Sequence, residues 1–298
     1  MKIRANGIDI EVEDTGADGS QANRPVVLLI MGLGMQLVAW PPTLIDALVA
    51  AGYRVVRHDN RDIGLSQHFD HLGTPNVLWA SLKLKMGLKI RPPYALQDMA
   101  NDALGVLDAL GIRQAHVVGV SMGGMIAQRV ALTAPDRVLS LTSIMSSSGA
   151  RGLPEAEPQV LRALFSRPAN KTLEGVAAHF VRFLKLIGSP GYPVDDAIVY
   201  ERILASLKRN YHPAGTLRQM LAIGADTGER AMALGRIAVR TLVIHGRADA
   251  LVPFACGADT ARRIPGAKLV GVDGMGHDLP PGVVDQILTH TLPHLRAA

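Results

Sequence analysis

The sequence predicts an α/β fold: a mostly parallel sheet with helices on both faces, interrupted by a helical insertion. Three observations predict it. Short runs that are apolar on both faces, such as Val26-Val27-Leu28-Leu29-Ile30, alternate with longer segments of helical spacing, the pattern of strands buried between helix layers. The run 115–120 stops at a serine between two glycines, and a helical pattern begins at once. From about residue 154 to residue 236 no strand pattern appears, and helical segments are broken by Pro168, Pro190, Pro193 and Pro213. The division that follows is a core of 1–146 and 237–298 with a helical insert of 147–236.

The elements follow in order. Residues 3–12 read as two short strands around Asn6-Gly7, a strong hairpin signal. Residues 14–24 form a polar loop, and 26–30 a central parallel strand. Residues 44–51 have helical character and stop at Gly52. A second buried strand, 53–58, runs into Asp59-Asn60-Arg61-Asp62. Residues 67–93 are irregular, with a basic and apolar middle, Leu82-Lys83-Leu84-Lys85-Met86, and predict a loop with a short helix. Residues 96–110 have apolar residues at helical spacing and end at Gly111. The strand 115–120 and its helix come next, then a strand over 138–145. Beyond the insert, strand 241–245, helix 254–264, strand 268–272 and helix 281–292 complete the chain.

Composition narrows the function class. A chain of 298 residues buries enough surface to fold without staples. Its one cysteine, Cys256, rules out an intramolecular disulfide and fits a reducing, cytoplasmic setting. The first 14 residues are alternating and charged, with no signal-peptide pattern. The longest apolar stretch, 26–35, contains two glycines and is far short of the roughly 20 residues of a membrane span. The net charge is +5. Residues 1–150 balance at 13 basic and 13 acidic side chains, while 151–218 hold 10 and 6. That excess is too dilute for a nucleic-acid partner and reads as a solvated helical surface.

Gly119-Val120-Ser121-Met122-Gly123 has the frame G-x-S-x-G, a nucleophile elbow that holds a serine on a tight strand-to-helix turn. A serine hydroxyl is a weak nucleophile and needs a base, and the base needs an orienting acid. Of ten histidines, His58 and His245 end strands and read as structural. His277 lies in Gly274-Met275-Gly276-His277-Asp278, a glycine-flanked loop right after the last strand. Asp249 is the sole carboxylate in the loop 247–253. The rival acid position after the strand 138–145 holds Met145, Ser146, Ser147 and Ser148, none of them acids. Asp273 and Asp278 are too close in sequence to His277 to orient it easily. The order Ser121, Asp249, His277 is nucleophile, acid, histidine.

Acyl transfer also needs donors for a developing oxyanion. The backbone N–H of Met122 follows the nucleophile, and Leu33 is best placed for a second in Met31-Gly32-Leu33-Gly34. Gly32, Gly34 and Trp40, on and after that loop, are candidate substrate contacts. Apolar residues of the insert, Phe165, Phe180 and Leu207 among them, would pack on the core or line a pocket. Arg61 and Asp62 read as loop ties.

Together these stretches resemble the α/β-hydrolase fold over nearly the whole chain. Ile30-Met31-Gly32-Leu33-Gly34, Trp40-Pro41, the run from His58 to Ser66 and the elbow resemble in particular the aclacinomycin methylesterase-like branch and related bacterial carboxylesterases. The resemblance implies that the insert is the family's cap, that Ser121, Asp249 and His277 fall on its triad positions, and that Leu33 and Met122 fall on its oxyanion-hole positions. Met31-Gly32 departs from the His-Gly of many relatives. The implied function is a serine carboxylesterase acting on a small-molecule ester without metal or organic cofactor. The alternatives are another bond on the same fold (a methyl ester of a bulky natural product, a lactone, an amide, a carbon–carbon bond, perhydrolysis) or a ligand-binding relative. Whether it acts as monomer or homo-oligomer is left open.

Overall fold

The computed structural model describes residues 1–226 and 228–298. Eight strands form one sheet in the order β1-β2-β4-β3-β5-β6-β7-β8. They are β1 (Lys2–Ala5), β2 (Ile8–Asp14), β3 (Val26–Ile30), β4 (Arg54–His58), β5 (Ala115–Val120), β6 (Val138–Ile144), β7 (Arg240–Gly246) and β8 (Lys268–Val272). β1 and β2 are an antiparallel hairpin, with Asn6 and Gly7 at φ 47° and 77°, as the Asn-Gly signal predicts. β2 pairs antiparallel with β4, and every later pairing is parallel. The hairpin therefore ends an otherwise parallel sheet.

Helices cover both faces. α1 (Pro42–Ala50), α2 (Val77–Lys85), α3 (Leu96–Ala109) and α4 (Met122–Thr133) belong to the first half of the chain. α5 (Pro158–Leu164), α6 (Leu173–Ile187), α7 (Asp196–Arg209), α8 (Pro213–Ala225) and α9 (Glu229–Ala233) fill the segment between β6 and β7. α10 (Phe254–Arg263) and α11 (Pro281–Arg296) follow β7 and β8. Side chains alternate across a strand, so β3 serves two cores. Val26, Leu28 and Ile30 pack with Met99, Ala103 and Val106 of α3 and Ile126 and Val130 of α4. Val27 and Leu29 pack with Leu44 and Leu48 of α1 and Val283, Val284 and Ile287 of α11. Burial on both faces is why these strands read as unbroken apolar runs. Among the described residues no helix is long and apolar enough to cross a membrane.

The segment between β6 and β7 holds helices and no strand among the described residues. α6 and α7 share a small core of their own, Val176, Ala177, Leu204 and Leu207. Leu207 is thus buried in the segment's own core and not on the sheet core, while Phe165 and Phe180 are exposed. The basic and apolar stretch after residue 67 contains α2, the short helix predicted there.

Candidate active site

All parallel strands of a sheet point their C-terminal ends to one edge, where open α/β sheets bind ligands. β5, β7 and β8 each end there, and each is followed by one of the predicted residues. Ser121 stands between β5 and α4 with φ 57° and ψ −121°, a left-handed backbone that a side chain adopts only under constraint. The constraint comes from both sides. Ser121 N–H donates to the Ile144 carbonyl at 2.9 Å, and Ser146 Oγ donates to the Ser121 carbonyl at 2.7 Å. A Cβ at Gly119 would lie 2.1 Å from the Gly123 carbonyl oxygen, across the turn. One at Gly123 would lie 2.0 Å from the Ile30 oxygen on β3. The two glycines of the motif are therefore needed by packing, the second against a neighbouring strand.

Asp249, in the loop after β7, accepts the N–H groups of Leu251 (3.0 Å) and Val252 (2.8 Å) on Oδ1. Its Oδ2 lies 2.7 Å from His277 Nδ1, and His277 Nε2 lies 2.9 Å from Ser121 Oγ. Burial pushes the Asp249 carboxyl up, but the His277 charge and hydrogen bonds from His245, His277 and the Val252 N–H outweigh it and hold it at about 2. A carboxylate at that distance can only accept, so Nδ1 carries the proton and Nε2 is free to accept from Ser121 Oγ. The arrangement can move the serine proton to a histidine whose developing charge faces a buried carboxylate.

His245, read as structural, reaches the same carboxylate. Its Nε2 lies 2.7 Å from the Val252 carbonyl oxygen and 3.5 Å from Asp249 Oδ2. His58 is fully enclosed with neither nitrogen partnered, and burial lowers its pKa to about 4, so it is a neutral core residue.

The loop 31–34 faces the serine. A Cβ at Gly32 would stand 3.2 Å from Ser121 Cβ. The N–H groups of Leu33 and of Met122, the first residue of α4, have no acceptor among the described residues. The loop is held from outside. Asn60 Nδ2 donates to the Met31 carbonyl at 2.9 Å, and the Gly34 N–H donates to Gln219 Oε1 of α8 at 2.9 Å. Gly34 spends its amide on Gln219, and a Cβ there would meet Thr216 Oγ1 at 2.9 Å, so its N–H docks α8. One expectation changes here. Trp40 is fully buried among Val27, Leu29 and Leu44 with its Nε1 unpartnered. It fills the layer behind β3 and has no surface to offer a ligand.

The support of His277 carries no local sequence signal. Its N–H donates to the Ile187 carbonyl at the end of α6 at 2.6 Å, Gly276 N–H donates to Ser189 Oγ at 2.8 Å, and Ser189 Oγ donates to Asp278. Residues 187–189 of the segment between β6 and β7 thus clasp the histidine loop. Asp278, set aside as an acid for His277, is the other half of that clasp. Burial raises its carboxyl above the usual value, against the hydrogen bonds of Ser189.

Among the described residues His68, Asp70 and His212 bring ligand-type atoms within 4.8 Å of one another. The two imidazoles stack at 3.8 Å and 4°, so their in-plane lone pairs run parallel and do not converge on one ion. His212 is also hydrogen-bonded at both nitrogens, to the Asp62 carbonyl and to Asp70. The trio is a stacked, hydrogen-bonded tie between the loop after β4 and the start of α8.

Residues 25–185 match the model of the alpha/beta hydrolase fold, and residues 224–286 match a model described as TAP-like protein. The chain is 31% identical over 302 residues to rhodomycin D methylesterase of Streptomyces sp. (strain C5), covering 94% of this chain and 93% of the other. It is 30% identical to a putative carbamate hydrolase of Azorhizobium caulinodans, over 88% and 89% of the two chains. Among solved structures, the meta-cleavage product hydrolase of Pseudomonas fluorescens IP01 aligns with a TM-score of 0.76 at 20% identity, over 100% of this chain and 97% of that one.

Proposed function

The chain belongs to the α/β-hydrolase-fold family, and from that premise we propose that it hydrolyses carboxylic esters through Ser121, His277 and Asp249. The observation that carries the reading is the unbroken hydrogen-bonded line from Ser121 Oγ through His277 to Asp249, at 2.9 and 2.7 Å, ending on a serine in strained backbone. Ser121 Oγ attacks the ester carbonyl carbon while His277 Nε2 takes its proton. Asp249 keeps the imidazole in the right tautomer and faces the imidazolium that forms. The N–H groups of Leu33 and Met122 receive the oxyanion. Each donor of this kind is worth about 3–4 kcal/mol in the transition state. The tetrahedral species then expels the alcohol, which takes the proton from His277. A water attacks the acyl-enzyme with the same histidine as base, the bond to Ser121 Oγ breaks as His277 returns the proton to that oxygen, and the acid leaves.

The helical segment 147–236 serves as a cap over the sheet edge. Its ties to the loop 31–34 through Gln219 and to the His277 loop through Ile187 and Ser189 support that role. The similarity to a methylesterase over nearly the full length supports a narrower substrate class, methyl esters of a bulky acid. The single, buried Cys256 fits a reducing compartment such as the cytoplasm.

The test is hydrolysis of p-nitrophenyl esters from acetate to palmitate, and of bulky methyl esters, by wild type and Ser121→Ala. The variant should lose about 10⁴–10⁶-fold in kcat while keeping the wild-type circular dichroism. A Ser121→Ala protein as active as wild type would end the reading.

A further inference from the structure

Between β4 and α3 the chain carries an exposed apolar face. One side of α2 packs inward: Ala80 is buried, and Leu84 and Ile90 close over Gly224 of α8, where an added Cβ would lie 2.9 Å from Leu84 Cδ1. The other side holds Leu78, Leu82 and Met86, four residues apart and so in one row on a helix, with Trp79 beside them. Their exposures are 68%, 47%, 54% and 53%, and Leu88 follows at 52%. The water-facing side of a surface helix is normally polar. Five large apolar side chains about half exposed or more, close together in sequence, mark an interaction surface.

The charge of this stretch has one sign. Residues 71–97 include Lys83, Lys85, Lys89 and Arg91 and no aspartate or glutamate. Lys83 places its ammonium 5.5 Å from the centroid of the Trp79 ring, where a long side chain covers apolar surface and keeps its charge at the boundary. An apolar face on a stretch whose acid–base balance is wholly basic complements an anionic lipid surface, where leucine, tryptophan and methionine enter the acyl boundary and lysines meet headgroups. A second copy of this chain would bring like charges face to face on a molecule of net charge +5. At nine residues α2 is far too short to span a bilayer.

We infer that residues 77–91 seat the protein on anionic bilayers as an interfacial anchor. α2 packs on α8, the helix whose Gln219 holds the loop 31–34, so the lipid-facing surface is one helix removed from the candidate site. The inference does not depend on ester chemistry, and its test reads binding alone.

The full chain is cosedimented with vesicles of phosphatidylcholine and of phosphatidylcholine mixed with phosphatidylglycerol, at low and high salt, while tryptophan emission is followed. Of the two tryptophans Trp40 is buried, so a shift reports Trp79. Wild type should pellet with the anionic vesicles, blue-shift, and release at high salt. Lys83→Gln/Lys89→Gln/Arg91→Gln should lose about a hundredfold in partition, at about fivefold per cation. Leu78→Ser/Leu82→Ser/Met86→Ser should lose the blue shift. Both variants alter only surface side chains and should keep the wild-type circular dichroism and ester turnover. Wild type left in the supernatant overturns the inference, as does equal, salt-independent binding to phosphatidylcholine alone, or unchanged binding in both variants. A wild-type dimer that the serine variant dissociates, with no vesicle binding, would assign the face to a second copy and overturn it equally.

Discussion

Asp249 shows how much of a candidate triad is decided by one side chain's surroundings. Its carboxylate is buried, yet two backbone N–H groups and His277 keep it ionised with a pKa of about 2. A depressed carboxyl adds stability that is present above its unfolded pKa of about 4 and fades as pH falls toward 2. Asp249→Asn should therefore unfold more easily than wild type at pH 7, with the difference closing below pH 4. Its kcat should fall about 10⁴-fold, because the neutral amide no longer enforces the tautomer. Guanidinium unfolding at several pH values, beside turnover at pH 7, checks both. A second residue-scale test is Gly123→Ala. Its Cβ has nowhere to go beside the Ile30 carbonyl, so about 1–3 kcal/mol of stability and most of the activity should be lost together. Normal turnover in a stable Gly123→Ala protein would show that the elbow can relax.

At the scale of elements, each loop of the site is held by a piece of chain far away. The end of α6 and Ser189 clasp the His277 loop, and α8 clasps the loop 31–34. Ser189→Ala would leave the Gly276 N–H and Asp278 without their partner, a cost of about 1–3 kcal/mol. Because the clasp fixes His277 and not the substrate, kcat should drop while KM moves little, and Ser189→Thr should restore part of the rate. Asp278 has a definite pH signature. Burial raises its pKa, so the cost of its charge is absent at low pH and grows as pH rises through the raised value. Asp278→Asn should thus gain stability relative to wild type at pH 8 and not at pH 3.5. A gain that is the same at both pH values would show that the ionised carboxylate costs nothing there.

Across the whole molecule, buried ion pairs lock the helical segment to the core. Arg218 of α8 grips Asp62 through two bonds of 2.6 and 2.7 Å. Asp62 also accepts from Phe69 N–H and the Tyr94 hydroxyl. Burial works against its charge, and these partners outweigh it and keep the carboxyl below its usual value. Arg61 makes a parallel pair with Asp102 of α3, at 2.6 and 2.7 Å. Removing one member of a buried pair strands the other, typically at about 3–5 kcal/mol. Arg218→Met should cost that much at pH 7 and less below pH 4, where the stranded Asp62 can take a proton. Thermal unfolding monitored by circular dichroism at the two pH values checks the sign.

What the sequence by itself determined is what neighbours along the chain decide. A short apolar run rich in β-branched residues and bounded by turn residues reads as a strand buried on both sides. Glycines two residues either side of Ser121 permit a turn that other residues could not enter. Loops after parallel strands share one sheet edge, so the order Ser121, Asp249, His277 already places three groups together. Only the tertiary structure decided the rest, because the partners lie far apart in sequence. Ser189 and Asp278 are 89 residues apart, Asp62 and Arg218 156, Gly34 and Gln219 185. No local spacing could have sent Trp40 behind β3 or shown the Gly34 amide already occupied, since both follow from how whole layers close on one another. Side chains choose their partners in the packed interior, after the elements have formed.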